Sequence, residues 1–183
     1  MNSNIRSLID ALTPHEENYL QVQGLRIIIQ GLEYHYRNSI NMNIKQTLDA
    51  LHEITAYLGR LGQVYYFLKS DFMKVDANLI PRIESAIKYR MKYSAHRMVD
   101  APRDGDILVD SCCIPMLKPY HPLTDDQRTL PLDMNLFMFG LQVQKRGPDG
   151  ERTVDNFYIE DEHDEIMTEI EACLRRKLIQ VKA

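Results

Sequence analysis

Cysteine is scarce in this 183-residue chain, and its placement excludes two of its usual uses. Cys112 and Cys113 are adjacent and Cys173 is remote, which is neither a disulfide framework nor a C-x2-C zinc spacing. Three reduced thiols suit a reducing compartment. No histidine stands close to Cys112 and Cys113 in sequence to lower a thiol pKa, so a small apolar role is expected for them rather than nucleophilic catalysis. Long apolar runs are also missing. The stretch Leu25 to Ile29 is interrupted by Arg26, whereas a membrane span needs about 18 to 20 apolar residues. Residues 1–6 lack the basic start and apolar centre of a secretory signal. The expectation is a cytoplasmic protein with no membrane partner. A Gly-rich phosphate loop, a dinucleotide fingerprint, a G-x-S-x-G elbow, H-E-x-x-H and H-x3-H are all absent, so neither a cofactor nor a metal is predicted. The run Asp161-Glu162-His163-Asp164-Glu165 has ligand residue types without EF-hand spacing and reads as an acidic helix start.

What is present is an ordinary globular composition, 44% hydrophobic and 26% charged, enough for a core without staples. The net charge of −4 argues against a generic nucleic-acid binder, but the charge is unevenly placed. Between Arg82 and Arg103 six basic residues face Glu84 and Asp100, a local balance of +4. From Asp149 to Glu171 ten acidic residues are opposed by Arg152 alone. The two regions are expected to attract each other within a chain or between chains, or the basic one to face a polyanion.

Hydrophobic periodicity predicts helices over most of the first hundred residues. Ile5, Leu8, Ile9 and Leu12 form a short one, and Thr13-Pro14 with Glu16 and Glu17 signals the start of the next. There Tyr19, Val22, Leu25, Ile29, Leu32 and Tyr36 recur by threes and fours, with Ile28 widening the stripe. A third helix carries Ile44, Leu48, Leu51, Ile54, Leu58, Leu61, Tyr65 and Leu68. Gly24 and Gly31 share one face and Gly59 and Gly62 another. Each glycine costs about 1 kcal/mol of helix propensity, which close helix approach would offset. A fourth helix starts between Asp76 and Pro81, uses Leu79, Ile80, Ile83, Ile87 and Met91 as its apolar stripe, and ends near Asp100, before Pro102.

The pattern then changes. Pro102, Pro115, Pro119, Pro122 and Pro131 punctuate an irregular connection in which Ile107-Leu108-Val109 suits a short strand. Phe137, Phe139, Leu141 and Val143 alternate, Gly147-Pro148-Asp149-Gly150 is a turn signature, and residues 154–159 return, which predicts a hairpin. Ile166, Ile170, Leu174, Leu178 and Val181 predict a closing helix, acidic at its start and basic near its end.

The fourth helix holds Arg90-Met91-Lys92-Tyr93-Ser94-Ala95-His96, an R-x5-H spacing. On a late helix of a helical bundle this resembles the R-x4-6-H motif of the HEPN superfamily, the higher eukaryote and prokaryote nucleotide-binding domains, over about residues 16–100. The resemblance implies a metal-independent endoribonuclease in which Arg90 binds the scissile phosphate and His96 assists proton transfer, with Lys92, Arg97 and Tyr93 as the neighbouring nucleic-acid contacts. Met91 departs from the family pattern, in which an Asn usually follows the motif Arg in ribonuclease members. Six residues advance a helix by about 600°, leaving the two side chains roughly 120° apart and about 9 Å along the axis. Convergence on one atom therefore requires a bent helix end or two chains meeting at their fourth helices, as family members often do. The same residues also suit the basic end of a surface helix without any substrate.

The fold class expected is mainly α: a four-helix bundle over residues 1–100, then a connection, β-hairpin and C-terminal helix over 101–183 packing on the bundle as one compact domain. An isolated hairpin is marginal in water, so its Phe137, Phe139 and Leu141 face must dock on the bundle or meet a partner. That face and the glycine-bearing helices are two separate reasons to expect a homodimer. Three function classes follow: a HEPN-like or similar interaction or regulatory module, an RNA-cleaving enzyme using Arg90 and His96 at a dimer cleft, and a metal-binding bundle enzyme.

Overall fold

The computed structural model describes residues 3–13, 19–90, 107–108, 115–119, 131, 134–146 and 152–182. The fold is mainly α, with a small antiparallel sheet. Helices α1 (Ser3–Leu12), α2 (Tyr19–Ser39), α3 (Thr47–Lys69) and α4 (Pro81–Arg90) precede strands β1 (Ile107–Leu108), β2 (Pro115–Pro119), β3 (Phe137–Arg146) and β4 (Arg152–Tyr158), and α5 (Ile159–Lys182) closes the chain.

The apolar stripes find one another. Val22, Leu25, Ile29 and Leu32 of α2, Ile54, Leu58, Leu61 and Leu68 of α3, Ile83 and Ile87 of α4, and Ile166, Ile170 and Leu174 of α5 are buried together with all four apolar residues of α1. The packing order differs from a closed bundle of the first four helices. Helix α2 lies on α3, α3 on α4, α4 on α5 and α5 back on α2, with α1 against α5 and α2. The C-terminal helix is thus a full member of the ring, because α4 has an apolar face on Ile83, Ala86 and Ile87 that neither α1 nor α2 covers. Helices α2 and α4 sit diagonally across it.

Leu48, expected in the α3 stripe, is 80% exposed. It stands in the first turn, just after the 3-10 turn Ile44–Gln46 that Asn43 and Gln46 close with a reciprocal capping box.

The hairpin is wider than two strands. β3 pairs with β4 from Gly140↔Tyr158 to Arg146↔Arg152. It pairs with β2 from Pro115↔Leu141 to Pro119↔Phe137, and with β1 at Ile107↔Lys145 and Leu108↔Gln144. A strand has two edges, and β4 takes one, so β1 and β2 share the other in succession. Pro115 and Pro119 bound β2 at the sheet margin, where a missing N–H costs no ladder bond. Phe137, Phe139 and Leu141 are buried in the chain's own core, and Phe137 N donates to Met42 O at 2.9 Å. This face is therefore taken, and the hairpin provides no reason for a dimer.

Arg82, the one member of the basic stretch whose side chain is described, is paired inside the chain with the acidic stretch. Arg82 meets Glu162 at 3.6 Å and Glu165 at 2.5 Å, and Lys118 meets Asp161 at 3.2 Å. The start of α4 is the more telling case. Its flanking residue is Ile80, which offers no side-chain acceptor, and Pro81 has no N–H. The next two donors, Arg82 N and Ile83 N, go to Oε1 and Oε2 of Glu169 on α5, at 2.8 and 3.0 Å.

Three substitutions test this packing by urea unfolding. Glu169→Ala removes a charged acceptor of two backbone donors and is expected to cost about 1–2 kcal/mol, against under about 0.5 kcal/mol for Glu165→Ala, a surface pair. Gly140→Ala places a Cβ 2.5 Å from Phe157 O and 2.7 Å from the Tyr158 ring, and is expected to cost about 1–3 kcal/mol.

Candidate functional site

Of the residues singled out in the late helix, Arg90 is the last of α4 and its side chain lies outside the described residues, as do Met91, Lys92, Tyr93, His96 and Arg97. The expected continuation of α4 to Asp100 lies outside them too. What is described is the base of that helix, with Ile83, Ala86, Ile87 and Tyr89 buried and the Tyr89 ring 5.1 Å from that of Phe157. The acceptors on α5 fix where the segment starts, and the sheet fixes where its inner face rests.

The most enclosed histidine among the described residues is His163 of α5, 6% exposed among α2, α3 and α5. Its ring stacks on Tyr36 with centroids 3.7 Å apart and planes 7° from parallel. Nδ1 lies 3.1 Å from the hydroxyl of fully buried Tyr57. Burial pushes the His163 pKa down to about 4, with Asp164 and Glu33 pulling the other way and Arg37 adding to the fall. Burial also raises Tyr57 and Tyr36, the former strongly. Tyr57 therefore keeps its proton and is placed to donate to an unprotonated Nδ1. A histidine held neutral to such low pH is a poor proton acceptor near pH 7, and the cluster works as a polar tie among three helices. Sequence reasoning missed Tyr57 and read His163 as part of an acidic helix start, although both stand at helical spacing from core residues, Tyr57 from Ile54 and Leu61, and His163 from Ile166 and Ile170.

A second polar contact joins α2 to α3, with His35 Nδ1 2.7 Å from Glu53 Oε2 and both side chains 17% exposed. The α3–α4 connection and α5 enclose a shallow cleft of about 200 Å³, lined by Lys74, Asp76, Cys173, Arg176 and Lys177 among others. Lys177 Nζ sits 4.5 Å above the Phe72 ring, and Asp76 accepts from Asn78 N. Burial pushes the Cys173 thiol up, with Glu169 adding to the effect and Arg176 opposing it, so the sulfur stays protonated and unreactive. Among the described residues no three His, Cys, Asp or Glu side chains converge as a metal would require.

The outer face of α2 differs from these sites because it is apolar and uncovered. Leu20, Ile27 and Tyr34 are 82%, 63% and 61% exposed at seven-residue spacing, with Gly24 and Gly31 between them. A heptad drifts only about 20° around a straight helix, so the five residues form one stripe about 21 Å long. A Cβ on Gly24 would meet nothing within 4 Å, and one on Gly31 would meet the Arg60 side chain. The glycines were expected to let helices approach within the bundle. At Gly24 and Gly59 no described residue makes such an approach.

No protein-family model, curated protein or solved structure matches this chain. Among the described residues no helix is long and apolar enough to cross a membrane.

The burial of His163 has a pH consequence with a definite sign. Its folded pKa, about 4, is below the unfolded value near 6.5, so its contribution is fully present above pH 6.5 and is lost as pH falls toward 4. The loss is about 3 kcal/mol. Urea unfolding of wild type at pH 7 and pH 4 should differ by that much more than in His163→Gln, where this component is gone.

Proposed function

We propose that this chain is a helical interaction or regulatory module, HEPN-like in its late helix, that acts as a homodimer and carries no chemistry of its own. The observation that supports this reading is the uncovered stripe Leu20, Ile27 and Tyr34 on α2. Three large apolar side chains in line, over backbone made accessible by glycine, suit a partner surface rather than water. The polar features of the core support the same reading. His163 and Tyr57 satisfy each other, Glu169 is occupied by the start of α4, and the Cys173 thiol is held protonated.

The endoribonuclease alternative needs two fourth helices brought together so that Arg90 of one chain and His96 of the other converge. Helix α4 stands diagonally across the ring from α2, so a dimer formed on the α2 stripe keeps the two copies of α4 apart. The α2 stripe thus favours the non-catalytic reading.

Sedimentation at increasing protein concentration tests it. Wild type is expected to move from monomer to dimer, and Ile27→Glu to remain monomeric. Two symmetry-related Ile27 side chains are each worth about 1.5–3 kcal/mol on burial, so the loss should exceed roughly a hundredfold in Kd. Arg90→Ala and His96→Ala should leave the dimer unchanged. Metal-independent RNA cleavage that vanishes in a folded His96→Ala would overturn the non-catalytic reading.

A further inference from the structure

We infer that the second copy packs α2 against α2 in an antiparallel two-fold contact, in which Ile27 of each chain seats over Gly24 of the other. The inference rests on the dimeric reading above and adds the geometry. A two-fold axis between residues 25 and 26 pairs positions whose numbers sum to 51, so Ile27 faces Gly24, and the same knob and gap recur on the other side of the axis. The knob is 63% exposed, and among the described residues no atom outside the helix's own backbone lies within 4 Å of a Cβ built at the gap. Knob and gap lie on one helix three residues apart, so the face complements itself. A flat apolar patch would not choose a register, whereas this one does.

The next pair outward sets Leu20 against Gly31. There the Arg60 guanidinium already lies over the glycine, with Nε 2.9 Å from the Cβ position, so Leu20 meets the flat of that group rather than a gap. The close approach is therefore confined to the centre, as two helices crossing at an angle require.

Charge favours a copy of the same chain over a charged partner. Between Tyr19 and Tyr34 the ionised side chains of α2 are Arg26 and Glu33. Arg26 bonds Asp10, and Glu33 is 7% exposed with Arg37 at 3.5 Å. The polar residues flanking the stripe, Gln21 and Gln30, are exposed and uncharged. The remaining charge on the face is Arg60, which lies over Gly31 from α3, and the two-fold sets its two copies at opposite ends of the contact, so two copies meet without like charges side by side.

Short bismaleimide cross-linking tests the register in full-length chains whose Cys112, Cys113 and Cys173 are replaced by alanine. Gln21 and Gln30 also sum to 51, so a mixture of Gln21→Cys and Gln30→Cys chains should give mixed dimers in several-fold excess over like-with-like products. Gly24→Leu fills the gap without adding charge and should weaken the dimer at least tenfold while the monomer unfolds no more readily. Like-with-like products in a dimer that Ile27→Glu still disrupts would overturn the antiparallel register and leave self-association through α2 standing. A dimer indifferent to both Ile27→Glu and Gly24→Leu would overturn the use of this face and leave a dimer formed elsewhere. Wild type that stays monomeric at 100 µM (roughly the concentration at which contacts of ~5.5 kcal/mol half-associate) would overturn the inference and the dimeric reading together.

Discussion

The Glu169 carboxylate ties the end of the chain to its middle, and much of the packing depends on that tie. Helix α4 begins with an isoleucine and a proline, neither of which can accept the donors exposed at a helix start, so the sequence around residue 80 cannot finish its own helix. Both oxygens of Glu169 do so, from a residue more than eighty positions on. The carboxylate also sits at the positive pole of α4, where a negative charge is favoured. Helix α5 must be in place before α4 has a satisfied beginning. The same helix carries His163 to Tyr36 and Tyr57, and Ile166, Ile170 and Leu174 to the core. Closing the ring and ordering α4 are therefore one event, with the acidic first half of α5 drawn to Arg82.

This explains which parts of the fold were legible in the sequence. Spacings of three and four located the buried face of α1 residue for residue and the centre of that of α5, Ile166, Ile170 and Leu174, because burial against one apolar layer needs only the right period. The alternation at Phe137, Phe139 and Leu141 likewise placed the inner face of β3. The position of α5 in the ring was not legible, since periodicity says that a face is buried and not against what. β2 was hidden for a different reason. Pro115 and Pro119 read as breaks, and a strand margin that tolerates proline exists only once β3 lies beside it.

The polar residues show the limit more sharply. Glu169 looks like one more acid in an acidic segment, and its role depends on a helix start that no local pattern connects to it. His163 looked like part of an acidic helix start, yet its spacing from Ile166 and Ile170 already set it on the apolar face. Ligand-type composition around it outweighed its phase on the helix, and phase was the better guide.

Helix α2 presents the converse problem. Apolar residues occur on more than one side of it, a pattern that reads as burial all round. One side, Val22 to Leu32, is core, and the other, Leu20 to Tyr34, is open. Sequence period cannot separate them, because both have helical spacing. What separates them is glycine. Inside a core, Gly24 would be a void or a point of close approach, and no described residue packs on it. A residue costing about 1 kcal/mol of helix propensity there gains no packing from the described part of its own chain. The use we propose for it is what the bare backbone admits from outside, and the nearest large side chain of matching reach on the same face is Ile27. On the reading proposed above, the face that a second chain takes lies diagonally across the ring from the described base of α4, so a dimer on α2 and a pairing of fourth helices are two different two-fold contacts.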